Sequence, residues 1–123
     1  MRYNRLRISE DANSRLRSIR QRTGVTPNLL IRVAIMMSLE EGPIRVPAPD
    51  EKGPEFNAYT LTGDHTALIG AMLRHVEETE GESQPLGDDE MVARLRAHIH
   101  RGVGTLSVRA KSIVDLGRLA VCA

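Results

Sequence analysis

The sequence predicts a mainly α, compact helical domain that opens with one short strand. Three features point there. Apolar residues recur at spacings of three and four over most of the chain, the stripe of a half-buried helix. Ser9, Gly24, Thr26 with Pro27, and Gly42 stand where helices begin and end. Strict alternation is confined to residues 3–8. At 123 residues the chain has room for one modest core. That core must be built from Leu, Ile, Val, Met and Ala, since there is no Trp, two Tyr and one Phe.

In YNRLRI (3–8), Tyr3, Arg5 and Arg7 face one way and Leu6 and Ile8 the other, a short strand candidate. Ser9 caps a helix from Glu10 to about Thr23, with Ala12, Leu16 and Ile19 as its inner stripe and Gly24 as its stop. Thr26 and Pro27 start the next helix, NLLIRVAIMMSLEE, which Gly42 and Pro43 end. It is apolar on most of its circumference, the profile of a helix buried in an oligomer or at the centre of the domain. Residues 42–58 hold four of the six prolines and read as a loop.

YTLTG (59–63) is a short strand or an extended lead into a helix that Thr62 or Asp64 caps and that runs to about Thr79. Leu68, Ile69, Met72, Leu73 and Val76 are its inward residues. A polar loop at 80–87 precedes a helix from Asp88 or Asp89 to about Arg101. Gly102 and Gly104 break the pattern, and a last helix from Ser107 to about Ala120 buries Val108, Ile113, Leu116 and Leu119. The single domain spanning 1–123 thus divides into an N-terminal unit (1–42), a Pro-rich loop (43–58) and a helical remainder (59–123).

A formal net charge of +1 conceals a segregated chain. Residues 1–32 carry eight arginines against Glu10 and Asp11, residues 33–90 three basic residues against thirteen acidic ones, and residues 91–123 six basic residues against Asp115. Blocks of alternating sign suggest faces with different partners, or complementarity between protomers.

Catalytic chemistry finds little support. Cys122 is the only cysteine, so neither a disulfide within the chain nor a thiolate cluster can form, and the compartment expected is reducing. With no apolar signal core and no run of 18 apolar residues, the protein reads as cytoplasmic and not membrane-bound. His98 and His100 lie two apart on a helix, about 200° around its axis, and cannot easily share an ion. His65 and His75 have no supporting ligands, so no metal and no cofactor is expected and the histidines read as solvated. There is no phosphate loop and no GxSxG elbow, and GVGT (102–105) lacks the lysine such a loop requires. The carboxylates Glu77, Glu78, Glu80 and Glu82 form a run that looks solvated.

The arginines are the remaining constellation. A strand presenting Arg5 and Arg7, followed by a helix carrying Arg15, Arg17, Arg20 and Arg22, makes a surface that several phosphates can contact. The planar guanidinium forks suit paired bonds to phosphate oxygens, and the next helix start adds free backbone donors at Asn28. The bland alternative is that these arginines solubilise a helix and pair with an acidic neighbour.

Strand, helix, glycine turn and Thr-Pro-capped helix over 3–41 is similar to a ribbon-helix-helix unit, in which two protomers pair their strands and one face of the ribbon enters the major groove. On that resemblance Tyr3, Arg5 and Arg7 face the groove while Leu6 and Ile8 seal the dimer. RTGVTPN (22–28), SLEEG (38–42) and YTLTG (59–63), in this order and with the helices between them, resemble the DndE family of bacterial DNA phosphorothioation proteins. The resemblance implies a noncatalytic subunit of the machinery that puts sulfur in place of a nonbridging phosphate oxygen. It also implies a homotetramer that binds nicked duplex DNA through basic residues and acts with DndC and DndD. Family members often carry lysines where this chain has arginines, Lys52 and Lys111 being its only two lysines.

The leading expectation is therefore a DNA-binding or scaffolding subunit, with Arg5, Arg7, Arg15, Arg17, Arg20, Arg22 and Asn28 as its contact residues. The alternatives are an assembly adaptor of the same complex without useful DNA affinity, and a sequence-specific repressor of ribbon-helix-helix type.

Overall fold

A computed structural model of the chain describes residues 1–80 and 85–122. Residues 81–84 of the polar loop expected at 80–87, the Glu80 and Glu82 side chains of the acidic run and the side chain of Cys122 lie outside what it describes. The element order is β1 (Arg5–Arg7), α1 (Glu10–Thr23), α2 (Pro27–Glu40), β2 (Glu55–Asn57), α3 (Ala58–Leu61), a 3-10 turn (Gly63–His65), α4 (Thr66–Glu80), α5 (Asp88–Arg109) and α6 (Ile113–Cys122). The fold is mainly α, as predicted.

The N-terminal signals act where they were read. Ser9 Oγ accepts from the Ala12 N–H, Glu10 and Asp11 occupy the first turn of α1, and Gly24 closes the helix at a φ of 75°. Such a left-handed φ is costly for a residue with a Cβ and free for glycine. Ala12, Leu16 and Ile19 are the buried residues of α1.

At the centre α2 and α5 run antiparallel, Gly102 crossing Ala34 while His98 reaches Ser38. Leu30, Ile31, Ala34 and Ile35 of α2 and Leu95, Ile99, Val103 and Leu106 of α5 are fully buried. The all-round apolarity of α2 thus resolves into two faces, because Leu29 and Val33 are exposed. In α4, Ile69 and Leu73 are buried, whereas Leu68, expected inside, is 57% exposed.

Three expectations are corrected. First, β1 pairs antiparallel with β2 of its own chain, with Leu6 opposite Phe56, so residues 42–58 contain a strand rather than loop alone. Three residues are too few for a period-two signal to rise above their proline-rich surroundings. The ribbon-helix-helix analogy, in which two protomers pair, does not describe this strand. Leu6 and Ile8 seal this chain's own core. Tyr3 is half-buried, with its hydroxyl 2.6 Å from Thr62 Oγ1, and burial raises its pKa.

Second, Tyr59, Thr60 and Leu61 of YTLTG lie in the short helix α3, capped by Asn57, whose side chain accepts from the Thr60 N–H, and Gly63 opens the 3-10 turn. Third, Gly102 and Gly104 do not end a helix. α5 runs through both to Arg109, and α6 begins at Ile113. A helical glycine costs about 1 kcal/mol against alanine, and close packing on α2 outweighs that at Gly102. Val108 and Ile113, expected inside, are exposed, while Leu116 and Leu119 are partly buried.

Candidate nucleic-acid interface

The seven residues singled out by charge do not form one face. Arg5 and Arg7 project from the exposed side of β1, where Arg5 lies 3.6 Å from Glu55 and Arg7 Nη1 donates to the Gly53 carbonyl at 3.3 Å. On α1, a rotation of about 100° per residue sets Arg15 and Arg22 on one flank of the buried stripe, Arg20 on the other and Arg17 outermost. Arg15 pairs with Asp11 at 2.9 Å and donates to Ser107 Oγ at 2.9 Å, and Arg22 donates to the Ser107 carbonyl at 3.2 Å. Arg17 and Arg20 are exposed and make no side-chain hydrogen bond or ion pair among the described residues. Asn28 stands apart, in a recess with Arg32, Thr60, Asp64 and His65. Its helix start keeps free donors, because Thr26 makes no side-chain capping bond there.

Residues that charge counting missed hold the C-terminal half of α2. Arg101 donates to Ser38 Oγ, to the carbonyls of Ser38, Gly42 and Pro43, and pairs with Glu41. It thereby satisfies carbonyls that a helix end leaves open. Arg96 donates to the Arg7 carbonyl at 2.8 Å and pairs with Glu51 at 3.0 Å, so β1 is held on the side away from β2.

Glu77 and His98, both expected in solvent, are instead fully buried. Glu77 accepts from Arg94 Nη1 at 2.7 Å, from the Ile44 N–H at 2.9 Å and from His98 Nε2 at 3.3 Å. Glu78 pairs with Arg74 and accepts from the Leu86 N–H. A signal for both buried residues was present. Glu77 continues the stripe Ile69, Leu73 at the next step of four, and His98 stands between Leu95 and Gly102 on the inner face of α5.

The protons of this network can be assigned. A carboxylate only accepts, so the ring proton of His98 sits on Nε2. Nδ1, 2.8 Å from Ser38 Oγ, then accepts the hydroxyl proton, while Ser38 Oγ accepts from Arg101 Nε. Serine, histidine and carboxylate follow one another here, but the ring nitrogens are reversed from the order of a hydrolase triad, in which Nε2 faces the serine, and Ser38 is 0% exposed. His100 bonds to Ser9 Oγ at 2.6 Å on another side of α5, so the two histidines serve different partners, as their spacing predicts.

Burial lowers the pKa of His98. The hydrogen bond and charge of Glu77 oppose that shift, and Arg101 and Arg94 add to it. The unfolded chain therefore takes up the proton first as the pH drops. Stability is intact above the ordinary histidine range, near 6.5, and is lost as the pH falls through the lower folded-state pKa. The denaturation midpoint is expected to fall between about pH 7 and pH 5, with the fall reduced in His98→Gln. An unchanged midpoint over that range would show that His98 does not control it.

A cleft of about 1020 Å³ lies between the Pro-rich segment and α5, but Asp11, Glu41, Arg15, Arg45 and Arg101 all line it. Mixed signs give it no preference for an anion. Among the described residues no helix is long and apolar enough to cross a membrane.

Comparison with known proteins agrees with the fold. The family model for the DNA sulphur modification protein DndE matches residues 5–113. The fold is similar to that of DndE from Escherichia coli B7A, a protein involved in DNA phosphorothioation modification. That match has a TM-score of 0.72 and 22% identity, and covers 86% of this chain and 100% of the other. It is also similar to a mutant DndE involved in DNA phosphorothioation, with a TM-score of 0.70, 21% identity, and coverage of 86% and 99%. No curated protein matches the chain.

Proposed function

The chain belongs to the DndE family of DNA sulphur modification proteins, and from that premise we propose that it is a noncatalytic, cytoplasmic subunit that holds duplex DNA for the phosphorothioation machinery. One observation carries the reading: Arg17 and Arg20 extend from α1 with no carboxylate partner among the described residues, on the side of the helix away from the anchored Arg15 and Arg22. Free guanidinium groups on a rigid helix cost little to turn towards phosphate oxygens. Binding of this kind is salt-sensitive and tolerant of sequence. Arg5, Arg7 and Asn28 lie outside this cluster and serve as secondary contacts. The same protein acts beside DndC and DndD, and a nicked duplex is the substrate form on which to begin.

Replacing Arg17 and Arg20 together by alanine is expected to weaken duplex binding about tenfold near physiological salt and to lower the salt slope by about two. Circular dichroism and melting temperature should stay at parental values, since neither side chain is buried. Unaltered affinity and slope would remove the arginine face from consideration.

The adaptor reading has its own support in an apolar groove of about 550 Å³ between α2 and α6, lined by Leu29, Val33, Met36, Met37 and Ile113. Exposed Glu40 and Arg109 flank it. Because α2 and α5 are antiparallel, they stand near opposite ends, an arrangement that a two-fold related copy can match. A homotetramer fits such a face. A complex with DndC and DndD that survives nuclease, from a protein that ignores DNA at low salt, would favour the adaptor. The repressor reading loses its basis with β1 paired inside the chain.

A further inference from the structure

Two cations of α1 and a third from the far end of the sequence converge on one residue of α5. Arg22 Nη2 and Lys111 Nζ each donate to the Ser107 carbonyl oxygen at 3.2 Å, and Arg15 Nη1 donates to Ser107 Oγ at 2.9 Å. The serine's own proton goes to the Gly104 carbonyl at 2.8 Å. Two cationic nitrogens sharing one carbonyl oxygen lie no further apart than twice that distance, and the third is held on the side chain of the same residue.

The charge here is only partly compensated. Asp11 engages Arg15, and the Asp115 carboxylate accepts from the Lys111 backbone N–H at 2.9 Å. The end of α5 contributes roughly half a negative charge. Arg22 and the Lys111 ammonium have no ion pair among the described residues, and all three cationic residues are exposed. Most of their donors remain unused, because a guanidinium offers five and an ammonium three.

We propose that Arg15, Arg22 and Lys111 form, around Ser107, a seat for the terminal phosphate of a DNA end. A terminal phosphate carries nearly two negative charges at neutral pH and three acceptor oxygens, which suits three convergent cations. An internal diester has one charge and two free oxygens, and a single arginine fork satisfies it. The source of the phosphate, DNA, rests on the function proposed above. The seat itself rests on the geometry at Ser107. Charge counting along the chain could not find it, because Lys111 lies 89 positions after Arg22.

The test compares full-length protein on two duplexes that differ only in 5′ ends carrying phosphate or hydroxyl. The parent is expected to prefer the phosphorylated duplex about fivefold to tenfold. That ratio should fall to near one in Lys111→Gln and in Arg22→Gln, each checked for folding by circular dichroism. Arg17→Ala should lower both affinities and leave the ratio intact. Equal binding of both duplexes by the parent, or a preference that survives both substitutions, overturns the seat. If the parent binds neither duplex, inorganic phosphate decides: a rise in melting temperature that both variants lose keeps the seat and removes DNA as its source, and no rise overturns it.

Discussion

Glu77→Ala is expected to destabilise the protein by about 3–5 kcal/mol, roughly 10–20 °C in melting temperature for a domain of this size. The carboxylate is 0% exposed and joins three parts of the chain. Arg94 and His98 approach it from α5, and the Ile44 N–H from the Pro-rich segment. Alanine removes one carboxylate that Arg94 engages and strips the His98 ring and the Ile44 N–H of the acceptor they share, in surroundings where water does not substitute freely. Forming such a pair is not what stabilises, since both ions lose hydration; breaking one side of it is what costs. Glu77→Gln keeps the volume and an acceptor oxygen, so its loss should be smaller, about 1–3 kcal/mol. Equilibrium denaturation of the parent and both variants checks the order. An alanine variant within about 0.5 kcal/mol of the parent would mean that the network does not hold Ile44 and the segment after it against α5.

What the sequence disclosed and what it hid follow from the range of each signal. Ser9, the stripe Ala12–Leu16–Ile19, Gly24 and Pro27 act within one or two helical turns, and each was legible. β2 was not, because its only warrant is β1, some fifty residues earlier. Nor was the continuity of α5, since a glycine pair reads as a break unless the partner backbone that Gly102 approaches is known. Glu77 and His98 were misjudged by residue type, although both continue apolar stripes. A charged residue in step with such a stripe is better read as a buried partner awaiting its counterpart.

The candidate interface was legible in composition and not in arrangement. Counting charge found the arginine-rich first quarter, but a count is blind to pairing. Asp11, Glu55, Gly53 and Ser107 engage Arg15, Arg5, Arg7 and Arg22, leaving Arg17 and Arg20 free. The lysine that joins Arg15 and Arg22 arrives only when the chain folds back along α5. A surface assembled from both ends of a sequence carries no local signature.

Gly102→Ala is expected to be about as damaging as the loss of Glu77, by the opposite route of adding an atom. A Cβ at Gly102 stands 2.0 Å from the Ala34 carbonyl oxygen and 2.6 Å from its carbon. These are backbone atoms in the middle of α2, so no side chain can swing aside and the two helices must part. Overpacking commonly costs about 1–3 kcal/mol, and a clash between central backbones belongs at or beyond the top of that range. Gly104→Ala supplies the control within the same helix. Nothing lies within 4 Å of its Cβ, and helix propensity alone should stabilise by about 0.5–1 kcal/mol. Two identical chemical changes one half-turn apart therefore should move the denaturation midpoint in opposite directions. Because the α2–α5 crossing also sets where Ser107 meets Arg15 and Arg22, Gly102→Ala should disturb the cation cluster as well, whereas Gly104→Ala should spare it. If both alanines shift the midpoint alike, the close crossing is wrong, and with it the spacing that brings the cations together.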